Sequence, residues 1–194
     1  MTILIRNTSN RYGWPAILFH WLVAVLFVGQ FALGLTMERV ASQRLAFELI
    51  QWHKSCGFLL LGLVLMRTGW RLGNPTPAPV SNGRVERTAA RLAHTALYGF
   101  QIAVPLTGWA LVSASVLDIP SVPFNLFVMP DLPLIRTDAA EAFWARIHDC
   151  LAWAGIALVA VHATAALWHG VWRRDGVLSR MIAPSLVHRF RGRE

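Results

Sequence analysis

Residues 148–162 read His148-Asp-Cys-Leu-Ala-Trp-Ala-Gly-Ile-Ala-Leu-Val-Ala-Val-His162. Two histidines bracket thirteen residues, of which only Asp149 is charged. Fourteen steps make nearly four turns of an α-helix. Both imidazoles therefore fall on about the same face, roughly 21 Å apart along the axis. A run this apolar suits a bilayer, where an ionisable side chain is costly and usually functional.

The rest of the chain agrees with a membrane setting. Of 194 residues, 55% are hydrophobic and 14% charged, and mean hydropathy is +0.47. Soluble domains are usually about a quarter charged. Four stretches reach the roughly 20 residues needed to span a bilayer, at 14–36, 47–70, 92–117 and 147–172. The first lies too far in, is too long and lacks a small-residue cleavage site, so it is expected to be a membrane span rather than a signal peptide. Between the spans lie a short loop at 37–46, the Pro/Gly-rich stretch "LGNPTPAPVSNG" (Leu72 to Gly83), and a long irregular segment from Asp118 to Ala142. The expectation is an all-α membrane protein, a single transmembrane domain over 1–194 with a basic cytoplasmic tail at 173–194.

The net charge of +8 is read as topology. Arg6, Arg11, Arg67, Arg71, Arg84, Arg87, Arg91, Arg173, Arg174, Arg180, Arg189, Arg191 and Arg193 all fall on one side of a four-span arrangement. Arg39, Arg44, Lys54, Arg136 and Arg146 fall on the other. The excess of arginine marks the cytoplasmic side and puts both termini there. The basic tail then faces anionic lipid, and no nucleic-acid role is needed. Cys56 and Cys150 have no zinc-motif spacing and are expected as packing residues.

Six of the seven histidines lie in or at the edge of spans: His20, His53, His94, His148, His162 and His169; His188 is in the tail. Depth pairs four of them. On antiparallel spans His20 reaches the level of His162, and His53 the level of His148. His94 also lies at the His162 level and rivals His20 as its partner. Two imidazoles facing each other across an apolar bundle suit the iron of a b-type haem. Zinc or copper would draw its ligands into one cluster with a carboxylate or thiolate. The expectation is a four-transmembrane-helix bundle holding two b-type haems, with one helix lending a ligand to each.

At this point the sequence resembles a known family. "FHWL" on the first span, "WHKSCG" on the second, "AVPLTGW" on the third and "RIHDCLAWAGIALVAVHATAALWH" on the fourth are similar to the bacterial cytochrome b561 family. The likeness runs from about Tyr12 to about Ile182. It is greatest to members that oxidise superoxide and reduce ubiquinone. It implies an inner-membrane protein with two haem b groups, axial ligands at His20, His53, His148 and His162, and a ubiquinone site at His169. His94 is expected beside the inner haem or the quinone. Lys54, next to His53, is expected to draw superoxide by local positive potential.

The formal charge of the outer side opposes a broad steering field. Glu38, Glu48, Asp118, Asp131, Asp138, Glu141 and Asp149 outnumber the five basic residues there. The alternative is a cytochrome b subunit that relays electrons between a periplasmic dehydrogenase or hydrogenase and quinone. That arrangement has a redox partner protein on the periplasmic side.

Overall fold

The computed structural model describes residues 4–79 and 83–182. Four long helices dominate it: α1 Trp14–Met37, α2 Gln43–Leu72, α3 Arg84–Ala114 and α4 Asp138–Trp168. A π-helical turn, His169–Arg173, continues α4, and a short helix, α5 Ser179–Ile182, follows. Neighbours in sequence pack as neighbours in space, α1 on α2, α2 on α3 and α3 on α4, while α1 and α4 approach more loosely. His188 and the basic residues beyond it lie outside the described residues.

Each long helix is apolar and long enough to cross a membrane. Leu18, Leu22, Val25 and Val28 on α1, Leu59 and Leu65 on α2, and Val161 and Leu167 on α4 point outward and are exposed. In water this surface would be a liability; in hydrocarbon it is the required solvent contact. Trp14, Trp168 and Trp172 are exposed near helix ends, where indole rings sit well at headgroup depth.

Three helices run further than the apolar spans. At ~1.5 Å per residue, the 31 residues of α3 exceed the ~30 Å hydrocarbon thickness, so its polar first turns project beyond it. Helix α2 starts early because the Ser42 side chain accepts a hydrogen bond from the Leu45 N–H. Thr137 does the same for α4 through the Ala140 N–H at 3.1 Å, with Asp138 and Glu141 in the first turn. Hydrophobicity marks the membrane interval, whereas caps mark the helix.

The segment between α3 and α4 is an ordered strap rather than a featureless loop. Ser121 and Met129 form an isolated β-bridge around the 3₁₀ turn Pro123–Asn125. Three bonds fasten the strap to the helix ends below it. The Phe124 N–H donates to Ser55 Oγ at 3.1 Å, the Leu132 N–H to Ser113 Oγ at 3.0 Å, and Trp109 Nε1 to the Pro130 carbonyl at 3.0 Å. Arg136 adds ion pairs to Asp118 at 2.7 Å and Asp131 at 2.6 Å.

The core is small and central. Val23 and Phe27 of α1 meet Leu60 and Val64 of α2, with Ile102 and Val104 of α3 and Ile156 and Val159 of α4 packed against them. A Cβ on Gly155 would lie 2.9 Å from the Phe27 ring, so this glycine lets Phe27 reach α4. The core lies at the middle of the bundle and leaves polar side chains at either end.

Candidate haem-binding sites

The end of the bundle that carries Trp14 is called inner below, and the end under the 115–137 strap outer. The depth arithmetic of antiparallel helices brings the histidines together as two pairs. At the outer end the ring centroids of His53 and His148 are 6.2 Å apart, with their planes at 90°. At the inner end those of His20 and His162 are 6.3 Å apart, at 63°. A ring nitrogen lies ~1.15 Å from its centroid and a metal–imidazole bond is ~2.0 Å, so two imidazoles on opposite sides of one ion hold their centroids roughly 6.3 Å apart. Both separations are close to that span.

His94 also faces His162, but at 5.5 Å. That is short for two rings with an ion between them. His94 therefore lies against the inner pair.

The outer pair lies in a half-open cleft of about 160 Å³. Its walls are mostly apolar and include Phe27, Phe31, Leu60, Val104 and Trp109. His148 is oriented from α3. Its Nδ1–H donates to the Val104 carbonyl at 3.0 Å, and Thr107 Oγ1 lies 3.2 Å away. That bond fixes the tautomer and leaves the Nε2 lone pair free, the usual way a ligating histidine is held. A Cβ on Gly108 would lie 3.1 Å from the His148 ring, so glycine is what allows α3 to pass so close. On the facing helix, His53 Nδ1 is buried with no hydrogen-bond partner. A flat, apolar macrocycle with two open axial positions fits this cleft and this donor set.

The inner end is more crowded. Arg67 Nη2 lies 3.1 Å from His20 Nδ1 and Nη1 lies 3.4 Å from Gln101 Oε1. A guanidinium only donates, so in this arrangement His20 Nδ1 accepts and the ring proton sits on Nε2. Ligation through His20 Nε2 therefore requires Arg67 to turn away. The Tyr98 ring offers it a surface, with the guanidinium carbons of Arg67 and Arg71 at 4.9 and 5.2 Å from the ring centroid. Two cations this close to a histidine cluster form a natural cradle for carboxylates. Arg67 and Tyr98 were not legible as site residues, since arginine near a span end reads first as a topology charge.

The remaining expected site residues lie apart from the pairs. Lys54 lines the outer cleft, and among the described residues there it alone carries a fixed charge. Its Nζ lies 3.4 Å from the carbonyl oxygens of both Ile119 and Pro120 in the strap. His169 sits at the inner end in the π-helical turn. Its Nδ1 is 2.5 Å from Asp175 Oδ2, a partner that the sequence pattern did not single out. Cys56 and Cys150 are free thiols, half-buried and exposed respectively.

Comparison with known proteins agrees with this architecture. Residues 11–184 match the family described as prokaryotic cytochrome b561. The chain is 35% identical over 183 residues to cytochrome b561 homolog 2 of Escherichia coli (strain K12), covering 92% of this chain and 95% of that protein. It is 29% identical over 181 residues to cytochrome b561 homolog 1 of the same organism, covering 89% and 97%. It is 28% identical over 174 residues to the probable superoxide oxidase CybB of Yersinia pestis, covering 89% and 96%. The family is one of membrane electron carriers with b-type haem, and the match spans almost the whole four-helix bundle. The chain thus belongs to the prokaryotic cytochrome b561 family and is a bacterial membrane electron-transfer protein.

Proposed function

We propose that this protein oxidises superoxide at its outer, periplasmic end and reduces ubiquinone at its inner, cytoplasmic end. The observation that carries the reading is the pair of facing imidazoles at each end of one bundle, 6.2 and 6.3 Å between centroids. His53 and His148 would hold one haem b, and His20 and His162 the other. When bound, the two haems supply one-electron redox couples that join the ends of the bundle.

The side chains do the rest. His20, His53, His148 and His162 would hold the two haem irons, and superoxide would be met at the rim of the outer cleft. Lys54 stands at that rim with its ammonium under the strap. Arg136 is engaged by two aspartates and Arg44 by Glu48 at 3.1 Å. Lys54 is the charged side chain that lines the cleft itself, so local attraction of an anion there falls to it despite the acidic surroundings. Phe27, Leu60 and their neighbours exclude water from the middle of the bundle. At the inner end His169 donates a ring N–H to a quinone carbonyl and gives a proton to the reduced oxygen. Two electrons and two protons then give ubiquinol. The arginine excess orients both termini to the cytoplasm.

Purified holoprotein mixed with superoxide and a short-chain ubiquinone should form ubiquinol in a protein-dependent, superoxide-dependent reaction. Lys54→Gln should lower the second-order rate with superoxide by about tenfold and flatten its ionic-strength dependence. Quinone reoxidation of prereduced Lys54→Gln protein should be unchanged. No ubiquinol formation from superoxide, with both haems present, would refute the substrate assignment.

An apolar tip on the strap favours a second reading. Leu126, Phe127 and Val128 are exposed in succession at the outer end. A periplasmic dehydrogenase or hydrogenase docked there would deliver electrons in place of superoxide. A stable complex on mild solubilisation, with slow superoxide oxidation by the isolated chain, would favour that arrangement.

A further inference from the structure

The fourth helix does not simply stop at the inner end. Its last turn widens into the π-helical turn His169–Arg173, a form that is rare and frequently marks a functional position. Arg174 then adopts a left-handed conformation (φ 48°), and Gly176 a second positive φ of 82°. The chain reverses over these residues and folds back on itself. Gly170 makes the return possible, because a Cβ there would lie 2.5 Å from the Leu178 side chain. Arg173 ties the turn to the start of α3 through Glu86 at 2.8 Å.

The product of this turn is one contact. Asp175 is brought back to His169, and its Oδ2 lies 2.5 Å from the ring Nδ1. The other carboxylate oxygen, Oδ1, accepts the Val177 N–H at 3.2 Å, which fixes the carboxylate's orientation. Both side chains are about three-quarters shielded, with 25% and 23% exposure. Desolvation works against the Asp175 carboxylate. The hydrogen bonds from His169 and Val177, with the charges of His169 and Arg173, together outweigh it and hold the carboxyl below its ordinary range. Asp175 therefore stays ionised at neutral pH and accepts from His169.

We infer that Asp175 is a positioning residue for proton delivery to quinone, holding His169 with its Nδ1–H engaged and its Nε2 turned outward as the exchangeable proton site. The inference rests on the reading of His169 as the quinone contact. In the step, the N–H bond at Nε2 of protonated His169 breaks as an O–H bond forms on the reduced quinone oxygen. The two electrons have arrived from superoxide through the bundle. Neutral imidazole remains, with Nδ1–H still donated to Asp175, and Nε2 takes its next proton from cytoplasmic water. The carboxylate, through its contact with Nδ1, prevents the ring from turning over. A histidine without this partner is free to present either nitrogen and loses the fixed geometry that proton transfer needs.

The test uses full-length holoprotein, reduced with dithionite and mixed with a short-chain ubiquinone in a stopped flow. Asp175→Asn should keep haem content and both spectra but slow maximal reoxidation about tenfold, with the half-saturating quinone concentration unchanged. It should also raise the H₂O/D₂O rate ratio above that of the parent. Asp175→Glu should recover most of the rate. Gly170→Ala, which keeps the carboxylate but drives Leu178 off the turn, should slow reoxidation in the same way as Asp175→Asn.

If His169→Ala is slow while Asp175→Asn and Gly170→Ala match the parent, the role of Asp175 is overturned and that of His169 stands. Parent rates in all three variants would overturn the quinone site as well. Equal loss in Asp175→Asn and Asp175→Glu, with no change in isotope ratio, would mean that Asp175 only braces the turn, which also overturns the inference. Should Asp175→Asn fail to assemble, the Asp175→Glu and Gly170→Ala comparison decides the same point.

Discussion

Replacing His53 or His148 with alanine is expected to lower the haem content from about two per chain to about one. The reason is local. The 6.2 Å between these rings suits one central ion, and among the described residues no other histidine lines the outer cleft. His148 is aimed by the Val104 carbonyl, and that bond does not depend on His53. Either alanine thus leaves one axial ligand on its own, and a single imidazole holds a b haem weakly in a bundle built for two. The remaining haem should stay low-spin, because the core of Val23, Phe27, Leu60 and Val64 separates it from the damage.

His20→Ala and His162→Ala should remove the inner haem in the mirror-image result. His94→Ala should retain both, since 5.5 Å to His162 leaves too little room for an ion between the two rings. Pyridine haemochrome quantitation of each variant checks this. Loss of a haem in His94→Ala, with both kept in His20→Ala, would reverse the inner pairing.

The second large effect is expected at His169. His169→Ala should keep both haems and their reduction by superoxide, yet slow reoxidation by ubiquinone about tenfold or more, the usual range for loss of a general acid. His169 lies seven residues beyond His162, two turns further toward the inner surface and on nearly the same face. It is outside both pairs, so its loss removes no axial ligand. Its proximity to water through the 174–178 turn is what suits it to proton traffic. Stopped-flow mixing separates the two half-reactions, first with superoxide and oxidised protein, then with quinone and reduced protein. Unimpaired quinone reoxidation in a fully loaded His169→Ala protein would move the quinone elsewhere.

Much of the architecture was legible because the bilayer simplifies the code. Twenty apolar residues can do little but span as a helix, and antiparallel neighbours convert sequence position into depth. That arithmetic matches His53 with His148, but at the inner level it leaves both His20 and His94 opposite His162, and only the family resemblance favours His20. Three kinds of feature were not legible. Helix starts at Ser42 and Thr137 are set by a cap hydrogen bond, a signal too short to compete with hydropathy, although Thr137, Asp138 and Glu141 together do announce a first turn. The strap over the outer end is held by Ser55, Trp109 and Ser113, and nothing in those residues names their distant partners. Asp175 reads as one more charge in a basic stretch. Only the π-helical turn and the left-handed Arg174 carry it back to His169. Arg67 shows the same ambiguity, since near a span end it reads as topology, and it takes the fold to place its guanidinium against His20.

The central claim is that one bundle holds two haems, each between two histidines. Haem quantitation on the purified full-length protein, with an electron paramagnetic resonance spectrum of the oxidised form, tests it most directly. The account predicts about two b haems per chain, both low-spin, because two imidazoles at each level leave no open axial position. A value near one, or a dominant high-spin signal, would contradict it.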